Sequence, residues 1–151
     1  MKYMIFLLLC LSQSVVASNA WEVVDSKSGA SNCYLQTPYL KMFDGYQDTQ
    51  VRLRLTDEQL QVSTRSNIDM GFDDVGLQVD GKVFIPAEQV VDHQNILFTS
   101  TIDKIVTQFK AGRSVVVKLR FWPSYPATRR FNKAFSLIGF SAAYNKYQLC
   151  K

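Results

Sequence analysis

Three observations predict that this chain is mainly β, a β-sandwich or flattened barrel of about seven or eight strands with two short helices. Short runs alternate apolar and polar residues, most clearly Val51-Arg52-Leu53-Arg54-Leu55 and Leu60-Gln61-Val62-Ser63, the pattern of strands with one buried face. An Asp80-Gly81 pair divides two further alternating runs. Apolar residues at helical spacing are confined to two segments, near residues 102–109 and 140–147.

Taken in order, the chain opens with Met1-Lys2-Tyr3-Met4, an apolar run from Ile5 to Leu11, and small or polar residues from Ser12 to Ala20. A charged end, an apolar centre and a small-residue exit predict a cleavable secretory signal over residues 1–20. Ser18 and Ala20 supply the small pair a signal peptidase reads; a cut after Ala17 is the other option. The apolar run falls short of the ~20 residues of a spanning helix, and no later stretch reaches that length. Leu9 precedes Cys10 where a lipidation signal wants a small residue. Residues 21–151 are then expected to form a single domain. A chain with 47% apolar and 13% aromatic residues has enough material for a core of that size.

Trp21-Glu22-Val23-Val24 reads as a first strand, Ser26 to Asn32 as a turn, and Cys33 to Gln36 as a second strand stopped by Pro38. The chain turns again at Asp44-Gly45. The runs at 51–55 and 60–63 are joined through Thr56-Asp57-Glu58 as a hairpin. From Leu77 to Ile85, Asp80-Gly81 predicts a type I′ turn, because both central residues must accept positive φ. Ile96-Leu97-Phe98 is a further short strand. Ile102, Ile105, Val106 and Phe109 share a helical face, with Thr101 as start and Gly112 as stop. The β-branched run from Ser114 to Trp122 reads as a central strand ended by Pro123. Phe135 to Ile138 is the last strand, Gly139 breaks it, and Phe140, Ala143, Tyr144 and Tyr147 lie on one face of a closing helix.

Cys10 leaves with the signal, so Cys33 and Cys150 remain. In an exported domain the pair is expected to oxidise to a disulfide, worth roughly 4–5 kcal/mol for so long a loop. The alternative is two buried thiols. Two cysteines and one histidine do not make a four-ligand zinc site, and no metal or cofactor is expected. All 13 acidic residues lie at or before Asp103, while residues 104–151 hold only basic charges, Lys104 to Lys151. Such asymmetry suits an anionic partner unless folding interleaves the two halves.

The ending Ser136-Leu137-Ile138-Gly139-Phe140-Ser141-Ala142-Ala143 followed by Cys150, the opening Trp21-Glu22-Val23 followed by Cys33, and the strand–helix–Gly–strand order from Ile96 to Phe121 resemble the invasion-associated locus B family of bacterial exported proteins. The chain departs from that pattern in lacking an additional cysteine soon after Trp21, and residues 40–95 carry no match. The resemblance implies a periplasmic or secreted β-sandwich protein linked to host interaction, virulence or the cell envelope. It implies no reaction and supplies no catalytic residues.

The residues themselves point away from catalysis. His93 is the single histidine, and adjacent Asp92 is badly placed to orient it as a triad requires. Asp69, Asp73, Asp74 and Asp80 lack the spacing of a calcium loop and read as a solvated acidic stretch. No pair of carboxylates shows the opposed placement of a glycosidase. The segment Phe121 to Phe131 is the candidate binding site. Its prolines, Pro123 and Pro126, stiffen a stretch bearing Trp122, Tyr125, Arg129 and Arg130, the residue types that dominate binding hot spots. The competing reading makes Phe121 and Trp122 core residues and the arginines merely solvated. The function expected is thus an exported, non-enzymatic envelope protein that binds another protein or an anionic envelope component, with nucleic acid excluded. A periplasmic inhibitor or immunity protein against a toxin or cell-wall hydrolase is the alternative.

Overall fold

The computed structural model describes residues 20–25, 33–123 and 129–150. Residues 1–19 of the signal expected over 1–20, the turn expected from Ser26 to Asn32, and Tyr125 lie outside the described residues.

The two cleanest alternating runs become the centre of the larger sheet. β1 (Glu22–Val24), β2 (Tyr34–Gln36) and β3 (Leu40–Phe43) lead into β4 (Asp48–Leu55) and β5 (Leu60–Thr64). Along β4 and β5 every second residue is buried, so Val51, Leu53, Leu55, Leu60 and Val62 face the core while Arg52, Arg54, Gln61 and Ser63 face outward. The smaller sheet begins with β6 (Gly76–Val79) and β7 (Phe84–Pro86). The chain then returns to the first sheet through β8 (Gln89–Val91) and β9 (Asn95–Phe98), passes α1 (Ile102–Ala111), and ends with β10 (Ser114–Leu119), β11 (Phe131–Ser136) and α2 (Phe140–Leu149). The larger sheet runs β1-β2-β4-β5-β9-β8 with β3 beside β4, and the smaller runs β11-β10-β6-β7. All pairs are antiparallel. The fold is mainly β and sandwich-like, as expected, and the described residues form no closed barrel.

The described residues hold eleven strands rather than seven or eight. β3 was hidden by Pro38, which has no N–H for the ladder. β2 and β3 are two halves of one edge of β4, with the register slipping by one residue between Leu35↔Leu55 and Leu40↔Val51. Thr37 bridges the gap: its N–H donates to Leu53 O (2.9 Å) and its Oγ1 accepts from Leu53 N–H (3.0 Å). β8 pairs with β9 through Asp92-His93, both at positive φ (51° and 57°). That turn carries no glycine, so its signal is weaker than that of Asp80-Gly81, which does adopt positive φ at both residues and closes with Lys82 N–H to Val79 O at 2.9 Å.

α1 starts where expected but not by the expected means. The Thr101 side chain makes no cap to the helix. Instead Glu88 reaches across from the β7–β8 connection. One carboxylate oxygen accepts from the Thr99 and Ser100 N–H groups and the Thr99 hydroxyl, the other from the N–H and hydroxyl of Thr101, all at 2.8–3.0 Å. Partial burial works to raise the Glu88 carboxyl; the donors from Ser100, Thr99 and Thr101 outweigh it and hold it well below the ordinary range. β11 begins at Phe131, earlier than Phe135, and stops at Ser136. Gly139 then turns the chain into α2 with φ 85°, a conformation a Cβ would strain.

Under the helices, Trp21, Phe109 and Phe140 form a buried aromatic cluster with centroids 5.0–5.9 Å apart. The Trp21 indole N–H is satisfied by Ser136 O at 3.0 Å. Nearby, Cys33 and Cys150 stand at disulfide-bonding distance with Cα atoms 6.0 Å apart, joining the start of the domain to its closing helix. Asp25 comes within 4.8 Å of both sulfurs, but sulfurs bonded to each other are not thiolate ligands.

Candidate functional site

The segment after β10 divides its two aromatic residues. Phe121 is buried at 3% exposure, whereas Trp122 is 60% exposed. The cause is local. Phe121 makes a bridge to Ile68, and the Trp122 N–H donates to Asn67 O at 2.9 Å. The backbone is thereby pinned while consecutive side chains point to opposite sides. Of the two residues that could have been core, one is and one is not.

Trp122 does not stand alone. The β3–β4 turn presents Phe43 (48% exposed) and Tyr46 (55% exposed). The Tyr46 hydroxyl donates to Pro123 O at 3.1 Å, fastening the turn to the Trp122 segment. Phe131 completes the set: its ring lies 6.3 Å from Phe43 and 5.8 Å from Phe121, and its edge passes close over Gly45. Asp44 shapes this turn by accepting from the N–H groups of Tyr46 and Gln47 (2.8 Å each) and from the Ser66 hydroxyl (2.6 Å). Burial works to raise its carboxyl, but the Ser66, Gln47 and Tyr46 donors hold it below the usual range. The turn signal Asp44-Gly45 was legible; that Phe43 and Tyr46 would meet the distant Trp122 segment was not, because the contact is between elements far apart in sequence.

Both described arginines of the candidate segment border this patch. Arg129 lies 5.4 Å from the Phe131 ring centroid. Arg130 reaches Asp74 at 3.6 Å, and Asp74 is held more tightly by Arg120 through two contacts of 2.7 and 2.8 Å. The Arg120 hydrogen bond is the main reason the Asp74 carboxyl sits below its usual range; burial opposes it, and the charges of Arg120 and Arg130 add to it. Arg120 also lies 4.1 Å over the Phe72 ring. The acidic stretch is therefore not simply solvated. Asp69 is buried and accepts from the Gly71 N–H at 2.9 Å; Asp74 binds arginine; exposed Asp80 accepts from the Arg113 and Ser114 N–H groups. The cause is topology: β6 pairs with β10, which brings the acidic loop before β6 against the basic end of the chain.

His93 occupies the exposed β8–β9 turn, and its backbone oxygen accepts from Ile68 N–H at 2.7 Å. A groove of about 320 Å³ beside α2 is lined by Trp21, Glu22, Val23, Gly139, Ala143 and Lys146, among others. Of its two charged groups, Glu22 already accepts from Gln36 at 2.6 Å. Neither place assembles a nucleophile, a base and an oxyanion donor.

No protein-family model matches the sequence, and no curated protein matches it. Among solved structures the fold is similar to the crystal structure of invasion associated protein B from Bartonella henselae. The TM-score is 0.59 and the identity 18%, over 87% of this chain and 93% of that one. The two chains thus share an architecture over nearly their whole lengths.

Proposed function

We propose that this is an exported, non-enzymatic envelope protein that binds another protein through the rim built from Phe43, Tyr46, Trp122 and Phe131 with Arg129 and Arg130. The single observation that carries the reading is the exposure of Trp122 on a backbone fixed from both sides, by Asn67 O at its own N–H and by the half-exposed Tyr46 at Pro123 O. Large rings held in place lose little freedom on binding, and arginine adds directional donors. The Cys33–Cys150 pair supports maturation in an oxidising compartment, periplasmic or extracellular. The structural neighbour is named for invasion, which favours a role at the host or envelope boundary over one in metabolism.

The test is a pull-down from native envelopes with wild-type protein and with the combined variant Trp122→Ala, Arg129→Ala, Arg130→Ala. The variant should lose a partner that wild type holds stoichiometrically. It should unfold within about 1 kcal/mol of wild type, because the side chains are exposed and Asp74 keeps Arg120. Equal capture by both proteins would refute the rim as the binding site.

A further inference from the structure

A second surface lies on the outer face of the larger sheet. Three guanidinium groups there stack on tyrosines. Arg54 lies 3.7 Å from the Tyr34 ring centroid, Arg52 lies 4.4 Å from that of Tyr39, and Arg65 approaches the same Tyr39 ring at 5.8 Å. None of the three has a carboxylate within salt-bridge distance among the described residues. Arg52 instead donates to the Gln36 amide oxygen at 3.2 Å. Beside them the outward positions of β2, β4, β5 and β9 include Gln36, Gln50, Gln61, Ser63, Asn95 and Leu97, and the one acid on this face of those strands is Asp48 at the start of β4. Gln61 donates to Ser63 and Asn95 at 3.1 and 2.8 Å. The nearest acids are engaged at the margins, Glu22 by Gln36 and Asp48 by Lys41.

We infer that this face docks an acidic polysaccharide. The Nε atoms of Arg52 and Arg54 are buried, and stacking orders the two guanidinium groups before any ligand arrives, so their terminal N–H groups can meet an anion at reduced entropic loss. Arg52 and Arg54 alternate along one strand, about 7 Å apart by strand geometry, which suits a repeating anion rather than a single one. Planar guanidinium groups fit carboxylate or sulfate bidentately, and the amide and hydroxyl side chains between them suit a chain of hydroxyl groups. A protein partner would want a desolvated apolar anchor at the centre, and a bilayer would want an inserted apolar face. The middle of this sheet offers neither.

Titration of the disulfide-bonded protein with heparin, a sulfated polysaccharide, tests the inference; poly-L-glutamate and phosphatidylglycerol vesicles provide the same charge on other supports. Wild type should bind heparin most tightly of the three. Arg52→Gln with Arg54→Gln should weaken that binding about tenfold, whereas Lys82→Gln with Arg113→Gln, removing equal charge from the smaller sheet, should leave it within about twofold. Arg54→Lys keeps the charge but not the planar fork, and should weaken binding about threefold with an unchanged melting curve. If the double glutamine variant does not fold, this lysine variant decides alone, and unchanged affinity would overturn the inference. So would no heparin binding by wild type, equal losses from the two double variants, or tighter binding of the polypeptide or the vesicles.

Discussion

Trp21, Phe109 and Phe140 lie beneath the helices at exposures of at most 2%, each ring edge-on or tilted to the next. Phe43, Tyr46 and Trp122 are the same kinds of residue in another part of the molecule, yet roughly half of each remains in water. The difference lies in what covers them. The first group is covered by α1 and α2, and the indole N–H has a protein acceptor. The second is presented by a tight turn and a proline-flanked strand end, and its polar contact ties the Tyr46 hydroxyl to the Pro123 backbone across the rim. Aromatic content alone therefore does not separate core from surface. What separates them is whether an amphipathic element exists nearby to close over the rings.

The contrast can be broken most forcefully at the covalent tie of the closed region. Replacing Cys33 and Cys150 by serine should lower stability by about 4–5 kcal/mol, the loop-closure value for so long a separation, as read from guanidinium unfolding of oxidised wild type against the variant. A loss below about 1 kcal/mol would mean that packing of α2 against β1 and β2 already restrains the chain ends. Next comes a matched pair of phenylalanines. Phe140→Ala should cost about 3–4 kcal/mol because it opens a cavity among fully buried rings. Phe43→Ala should cost about 1 kcal/mol or less, since half its surface stays wet in the folded protein. Similar losses at the two sites would erase the distinction between covered and presented aromatics.

How much of this was legible follows the range of each signal. Period-two alternation in β4 and β5 and period-3.6 spacing in both helices arise from local geometry, so these elements could be read directly. The Asp80-Gly81 hairpin was legible for the same reason. β3 and β8 were too short and too poorly flanked, and the Asp92-His93 turn uses residues that reach positive φ without announcing it. At the rim, the proline- and arginine-bearing segment was visible, but its partners Phe43 and Tyr46 come from a turn some 77 residues away. Glu88 was missed altogether as the group that organises the start of α1. A lone glutamate two residues after a proline carries no sequence signal for a role that depends on β8 and β9 folding it back onto Thr99–Thr101.

That carboxylate offers the finest test, because it can be set against a second ionised acid that is held by different means. Glu88 is fixed by neutral N–H and hydroxyl donors, and Asp74 by two arginines. Both have folded-state pKa values below their ordinary values of 4.5 and 3.8. Their stabilisation is therefore complete above those ordinary values and is lost as pH falls through the lower folded ones. Glu88→Gln should lower stability by about 2 kcal/mol near neutral pH, since charge-assisted bonds become ordinary ones and one oxygen becomes a competing donor. The gap between variant and wild type should narrow steadily in acid. Salt should hardly change it, because fixed dipoles at contact distance are not screened as mobile exposed charges are. Asp74→Asn should show a smaller deficit, about 1 kcal/mol, that shrinks at high salt because its partners are charged and partly exposed. Urea unfolding across pH at low and high salt measures both. A Glu88 gap that widened in acid, or that fell with salt as much as the Asp74 gap, would show that ion pairing rather than backbone donors holds the start of α1.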